Sequence, residues 1–283
     1  MERGGRYGRP FPVWEGNMEK KKPTMLIIVL ILIAAVCGIF FITELMSAER
    51  EITEYTGIQT NYTSIVSNET TELTQSQPVA APPETAVLPY TVVDFDALLT
   101  QNAETVGRIA IPDTIISYPV VQAADNNKYL GTSFTGEKSR TGAVFADHNN
   151  NMAALNQNTV LYAHNMGHGR TDMFGTLLYF NNKAYYDKHQ YIQFDTIYER
   201  HGWWRISAVI NYDTADRAFH YLKLDFENQS EFMDWAAQAK GLSLYNSGVD
   251  VSANDRILTL STCDGTHRSR LATAHIMARM ADS

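Results

Sequence analysis

Residues 257–263, Ile-Leu-Thr-Leu-Ser-Thr-Cys, form an apolar run that ends in a cysteine. The run predicts a strand, and the turn Asp264-Gly265 predicts a hairpin with a returning strand at residues 268–276. This hairpin would bring the Cys263 thiol close to the guanidinium of Arg270, and positive charge lowers the pKa of a thiol from about 8.5. Cys263 is therefore a candidate nucleophile, and the alternative interpretation is a buried, unreactive cysteine.

A histidine ends a second apolar run with the same layout. Residues 159–163 lead to His164, and Asn165 and Gly167 then turn the chain. Histidine is the side chain best suited to exchanging protons near neutral pH, so His164 is a candidate acid and base. The alternative is a structural histidine at a strand end.

The sequence predicts no metal site and no cofactor. His164 and His168 lie four residues apart, but Gly167 interrupts the pair and a third ligand is missing, which argues against zinc. The chain also lacks the acidic loop cluster that calcium requires.

Short apolar runs separated by turn residues indicate a mainly β domain. Together with the final run at 270–280 they make about eight strands, a number typical of a closed barrel or a sandwich. The other runs are 106–111, 115–121, 142–145, 159–163, 191–195, 203–212 and 256–262.

One helix is predicted before the strands, and two helical segments interrupt them, the shorter of which is at 172–178. Residues 93–99 form a short amphipathic segment with Asp94 as its capping residue. A longer helix is predicted from Ser230, as cap, to Lys240, with Gly241 closing it just before the cysteine strand.

An apolar segment near the N-terminus predicts a membrane anchor. Residues 25–42 contain no charged or strongly polar side chain, and 18 residues are near the minimum for crossing a hydrocarbon core of ~30 Å. Residues 20–22 are three lysines that abut the segment, whereas acidic side chains follow it. Because positive flanks stay in the cytoplasm, we expect 1–24 as a cytoplasmic tail, 25–46 as a signal anchor and the remainder outside the cell.

The composition of the residues after the predicted anchor indicates how they are organised. Residues 47–88 are polar, with prolines near their end, and predict a stalk that precedes a folded domain at 89–283. The net charge of −8 comprises +3 for residues 1–24 and −11 for the rest, which argues against nucleic acid as a partner. Of the two cysteines, Cys37 lies in the apolar segment, so Cys263 is an unpaired exterior thiol.

The order histidine, cysteine, arginine resembles that of the sortases, and across about residues 90–280 the chain resembles class B sortases. Papain-type enzymes place the cysteine before the histidine instead. The matching segments are 93–98 (Val-Asp-Phe-Asp-Ala-Leu), 118–121 (Tyr-Pro-Val-Val), 126–130 (Asn-Asn-Lys-Tyr-Leu), 162–166 (Tyr-Ala-His-Asn-Met), 173–177 (Met-Phe-Gly-Thr-Leu), 243–245 (Ser-Leu-Tyr) and 255–263 (Asp-Arg-Ile-Leu-Thr-Leu-Ser-Thr-Cys).

The resemblance implies a closed eight-stranded barrel with an N-terminal helix and a helix inserted before the cysteine strand. It implies a transpeptidase in which Cys263 attacks, His164 transfers protons and Arg270 stabilises the oxyanion. Arg268 is the rival guanidinium, because alternation places it on the same strand face as Arg270. Asp264 is a possible accessory acid. The positions implied to line the substrate groove are Asn126, Leu130, Tyr162, Ser261 and Thr262.

The implied substrates are secreted proteins with a C-terminal sorting signal, whose acyl group is transferred to a peptidoglycan amine. Joining of pilin subunits through a lysine amine, simple hydrolysis and a non-catalytic binding barrel are the alternatives. Ala163 stands where the family usually has glycine, and the spacing from Cys263 to Arg270 is short, so the sorting motif stays open.

Overall fold

In the computed structural model, the apolar runs form strands that close into a barrel. The structure describes residues 24–66, 90–167, 169–213, 216–262 and 275–280. The chain divides into two units, residues 1–50 and 51–283.

Residues 24–50 of the first unit form part of one long helix. Helix α1 runs from Thr24 to Asn61 and continues into the second unit. Within the first unit its apolar side chains are exposed; Ile33 and Phe41, for example, expose 54% and 63% of their surface. No helix in the described ranges is long and apolar enough to cross a membrane.

The second unit contains a closed barrel of eight strands in the order β10-β8-β7-β3-β4-β5-β6-β9, which confirms the predicted fold. A separate two-stranded sheet precedes it. The strands are β1 (Thr63–Val66), β2 (Tyr90–Val93), β3 (Thr105–Ala110), β4 (Ser117–Val121), β5 (Val144–Ala146), β6 (Asn158–Tyr162), β7 (Tyr191–Thr196), β8 (Trp203–Ile210), β9 (Ile257–Ser261) and β10 (His275–Met280).

Six of the eight barrel pairings are antiparallel, and two are parallel. The parallel pairs are β4 with β5 and β6 with β9. Every residue of β9 is buried, as expected of a strand that is covered on both faces. The pairing of β6 with β9 places the ends of these two strands side by side, because parallel strands that lie in register end at the same edge of the barrel.

Short helices decorate the barrel. They are α2 (Phe95–Gln101), α3 (Lys183–Lys188), α4 (Gln229–Leu242) and two 3-10 helices at Lys128–Leu130 and Gly175–Asn181. Asp94 caps α2 by accepting a hydrogen bond from Ala97 N, as predicted. The cap of α4 is Asn228 rather than Ser230, because the Asn228 side chain accepts from Glu231 N and the helix begins earlier than predicted.

Part of the predicted stalk at 47–88 belongs to the second unit and packs on the barrel. Tyr55 and Ile58, on the end of α1, are 7% and 6% exposed and belong to the barrel core. The Tyr55 hydroxyl donates to the carbonyl of Gly142 at 2.7 Å. Strand β1 pairs with β2, so the segment from 51 to 66 belongs to the second unit.

Candidate active site

The ends of β6 and β9 lie side by side. Tyr162 pairs with Ser261, and Ala163 N donates to Ser261 O at 3.3 Å. One residue further, the Thr262 hydroxyl donates to the Ala163 carbonyl at 2.8 Å. His164 follows Ala163 in the sequence as Cys263 follows Thr262.

Four predicted site residues lie outside the described residues. They are Cys263, Asp264, Arg268 and Arg270.

The imidazole of His164 contacts a backbone carbonyl from another loop. Its Nε2 lies 2.9 Å from Leu130 O. A carbonyl oxygen only accepts hydrogen bonds, so Nε2 carries a hydrogen in this arrangement. The structure therefore brings His164 and Leu130 together, and 42% of the Leu130 surface is exposed beside the ring.

The loop that presents Leu130 is held at several points. Ala143 N donates to Tyr129 O at 3.0 Å, and the Tyr129 hydroxyl donates to Glu104 Oε2 at 2.5 Å. Gly142 adopts φ +62°, and a Cβ atom there would lie 2.2 Å from Tyr129 O. Only glycine fits this close approach to the backbone segment that carries the Leu130 carbonyl.

A buried carboxylate joins two other predicted groove residues. Asp147 Oδ2 accepts hydrogen bonds from Tyr162 Oη and from Asn126 Nδ2, each at 2.9 Å. Burial raises the pKa of Tyr162 well above its ordinary value, and the charge and hydrogen bond of Asp147 and the nearby Tyr221 raise this pKa further. Tyr162 is therefore a neutral hydroxyl donor at every physiological pH.

Sequence reasoning missed Asp147 and Tyr221. The available signal for Asp147 was its place directly after the apolar run 144–146, where a polar residue ends a strand. Tyr221 lies in the loop between β8 and α4, a position that carried no signal of its own.

The remaining groove candidates are buried. Ser261 and Thr262 expose 5% and 4% of their surface, and the Thr262 hydroxyl is engaged by Ala163 O. Their contact with substrate stays a prediction. Their visible role is to fix the register of the two strand ends.

Comparison with known proteins decides the family. Residues 109–279 match the sortase domain family. The chain belongs to the sortase family. Sortase B of Staphylococcus aureus is 33% identical over 186 residues, which are 66% of this chain and 74% of that protein.

Solved structures agree with this assignment. A Staphylococcus aureus sortase B–substrate complex superposes with a TM-score of 0.60 at 33% identity, covering 66% of this chain and 83% of that one. Sortase B from Bacillus anthracis in complex with AAEK1 superposes with a TM-score of 0.66 at 27% identity, covering 84% and 100%. This sortase is thus of the B type and is a cysteine transpeptidase.

Among the described parts of the sortase, no group of three or more His, Cys, Asp or Glu side chains is arranged to hold a metal ion. The absence of a metal from the complete site stays a prediction.

Proposed function

We propose that this sortase cleaves a C-terminal sorting signal on secreted proteins and transfers their acyl group to an amine of a cell-wall peptide. The observation that carries the proposal is the parallel register of β6 and β9. It ties Ala163 to Thr262 one residue before His164 and Cys263. A nucleophile and a proton carrier at neighbouring strand ends suit acyl transfer.

In the proposed reaction the Cys263 thiolate attacks the carbonyl carbon of the scissile peptide bond. A carbon–sulfur bond forms, and the carbon–nitrogen bond breaks as His164 gives its proton to the departing amine. The incoming amine then attacks the thioester, His164 takes the proton that this amine loses, and the thiolate leaves. The covalent intermediate divides one difficult amide exchange into two easier steps.

Arg270 is proposed as the donor to the developing oxyanion. A guanidinium presents several N–H groups in a fixed plane, and one such donor typically contributes about 3–4 kcal/mol of barrier reduction. Arg268 is the competing residue. Asp264 is proposed only as an accessory acid.

The acceptor amine and the cleavage can be tested together. The full chain in detergent would be incubated with a panel of C-terminal sorting peptides, with triglycine or an Nα-blocked lysine peptide as amine. We expect a product whose mass equals the N-terminal fragment joined to triglycine, and no product with Cys263→Ala. A product ligated to the lysine peptide but not to triglycine would favour pilin joining. If the hydrolysed acid is the sole product, transpeptidation is contradicted.

Attachment to the cell membrane is a second part of the proposal. Residues 25–46 are proposed as the anchor, with 1–24 in the cytoplasm and the barrel outside, because the apolar run 25–42 is flanked by lysines on one side only. The exposure of the apolar side chains on α1 supports this assignment, since such side chains require an apolar surrounding.

We expect the full chain to remain in the membrane fraction after alkaline carbonate washing. A chain that begins at Glu51, where the second unit starts, is expected in the soluble fraction. External protease added to intact cells should degrade the second unit. Release of the full chain by carbonate, or protection of the second unit from external protease, would contradict the proposed anchor.

A further inference from the structure

Asp147 is a buried acid next to the site, and the proposed acyl transfer gives it no role. It follows β5, exposes 8% of its surface and lies beside the end of β6. Oδ2 accepts from Tyr162 and Asn126, and Oδ1 accepts from Asn149 N at 2.9 Å. The remaining titratable neighbour is His148, whose Nδ1 lies 3.6 Å from Oδ1.

A carboxylate that only accepts determines the direction of both hydrogen bonds. The hydrogen of the Tyr162 hydroxyl points to Asp147, so the tyrosine presents only oxygen lone pairs on its other side. Asn126 is fixed at both ends, because Nδ2 donates to Asp147 and Oδ1 accepts from His148 N at 2.9 Å. The amide of Asn126 therefore cannot flip without losing both bonds.

We propose that Asp147 is a positioning residue for substrate specificity, which sets the donor and acceptor pattern that Tyr162 and Asn126 present to the sorting peptide. This inference depends on the proposed function, in which those two side chains line the substrate groove. Asp147 acts on peptide binding and does not take part in the proton transfers of His164.

The sortase provides a matched control at Asp195. It is also buried, with 1% exposure, and also accepts a hydrogen bond from a tyrosine hydroxyl, that of Tyr90 at 2.6 Å. Asp195 lies on β7, which stands opposite β6 in the strand order of the barrel. The same substitution at both positions separates an effect on the groove from the general cost of disturbing a buried acid.

The test measures KM and kcat of the full chain in detergent, with the best peptide of the panel and triglycine. Asp147→Asn replaces one of two accepting oxygens with an N–H group, which must face either Tyr162 and Asn126 or Asn149 N, so at least one donor loses its acceptor. We expect KM to rise about tenfold and kcat to change less than threefold. Alkylation of Cys263 by iodoacetamide, followed on its own tryptic peptide, should keep its rate. Asp195→Asn should lower the unfolding temperature and leave KM unchanged.

A double-mutant cycle with Tyr162→Phe tests whether Asp147 acts through the tyrosine. The Asp147→Asn effect on KM should be smaller in the Tyr162→Phe background than in the wild type. An unchanged KM in Asp147→Asn, or equal KM changes in the Asp147 and Asp195 variants, overturns the inference. Turnover by the wild type would still support the proposed function in that case. A wild type without turnover would refute both.

If Asp147→Asn fails to fold, Tyr162→Phe and Asn126→Ala replace it. Each removes one group that Asp147 orients, and the inference requires KM to rise in both. An unchanged KM in either variant overturns it.

Discussion

Replacement of His164 by alanine is expected to lower kcat/KM about a thousandfold, because proton transfer by a positioned side chain contributes 10²–10⁴-fold to a rate. The loss should fall on kcat, since the departing amine would leave without a proton. The position of His164 supports this role, because His164 directly follows Ala163, whose carbonyl accepts a hydrogen bond from the Thr262 hydroxyl just after β9.

The same variant should slow alkylation of Cys263. A protonated imidazole beside a thiol lowers the thiol pKa, so its removal reduces the thiolate fraction at neutral pH. The measurement is the pH dependence of iodoacetamide labelling at Cys263, which we expect to shift to higher pH in His164→Ala. Labelling with an unchanged pH profile would contradict a thiol–imidazole pair.

His189 is the matched control for this substitution. Its Nδ1 lies 2.8 Å from the backbone carbonyl of Tyr185, so it too has a ring nitrogen at a carbonyl. It follows α3 and precedes β7, which stands opposite β6 in the strand order of the barrel. His189→Ala should retain kcat/KM within about threefold, and an equal loss in both variants would indicate a general effect on folding.

Local patterns in the sequence predicted most of the barrel. Each strand is a short apolar run between turn residues, and these signals are local. The cap of α2 was equally accessible, because Asp94 and the first turn that it caps are adjacent. The cap of α4 was predicted two residues late, since Ser230 and Asn228 are both good caps and only packing decides between them.

Contacts between distant segments could not be predicted in the same way. Tyr55 and Ile58 lie in a polar stretch, and their burial depends on the barrel surface that they meet. Asp147 gains its importance from Tyr162 and Asn126, which lie 15 and 21 residues away in the sequence. The pairing of His164 with Leu130 O likewise joins residues 34 positions apart.

Alanine at Gly142 is expected to destabilise the fold by about 3 kcal/mol and to lower kcat/KM as well. A non-glycine residue at positive φ costs about 1–2 kcal/mol, and an overfilled site typically costs about 1–3 kcal/mol more. The new Cβ would lie 2.2 Å from Tyr129 O and 3.3 Å from the carbonyl of Leu130. Backbone must therefore move, and the backbone in question carries the oxygen that meets His164 Nε2.

Two neighbouring glycines separate the contributions to this effect. Gly131→Ala adds a methyl group in open space without a positive φ, so stability and activity should not change. Gly136 has φ +90° and no atom within 4 Å of an added Cβ, so its alanine variant should show only the conformational cost. Urea unfolding gives the free energies, and kcat/KM is measured below the unfolding transition.

The three variants distinguish a conformational cost from displacement of the Leu130 carbonyl. If Gly142→Ala loses no more stability than Gly136→Ala, the close approach to Tyr129 O is not rigid. If Gly142→Ala is destabilised but retains full activity, the contact between Leu130 O and His164 does not position the imidazole for catalysis. We expect Gly142→Ala, and neither of the other two variants, to lose both stability and activity. The reason is that the fold of the loop and the placement of His164 depend on the same backbone segment, which Gly142 contacts.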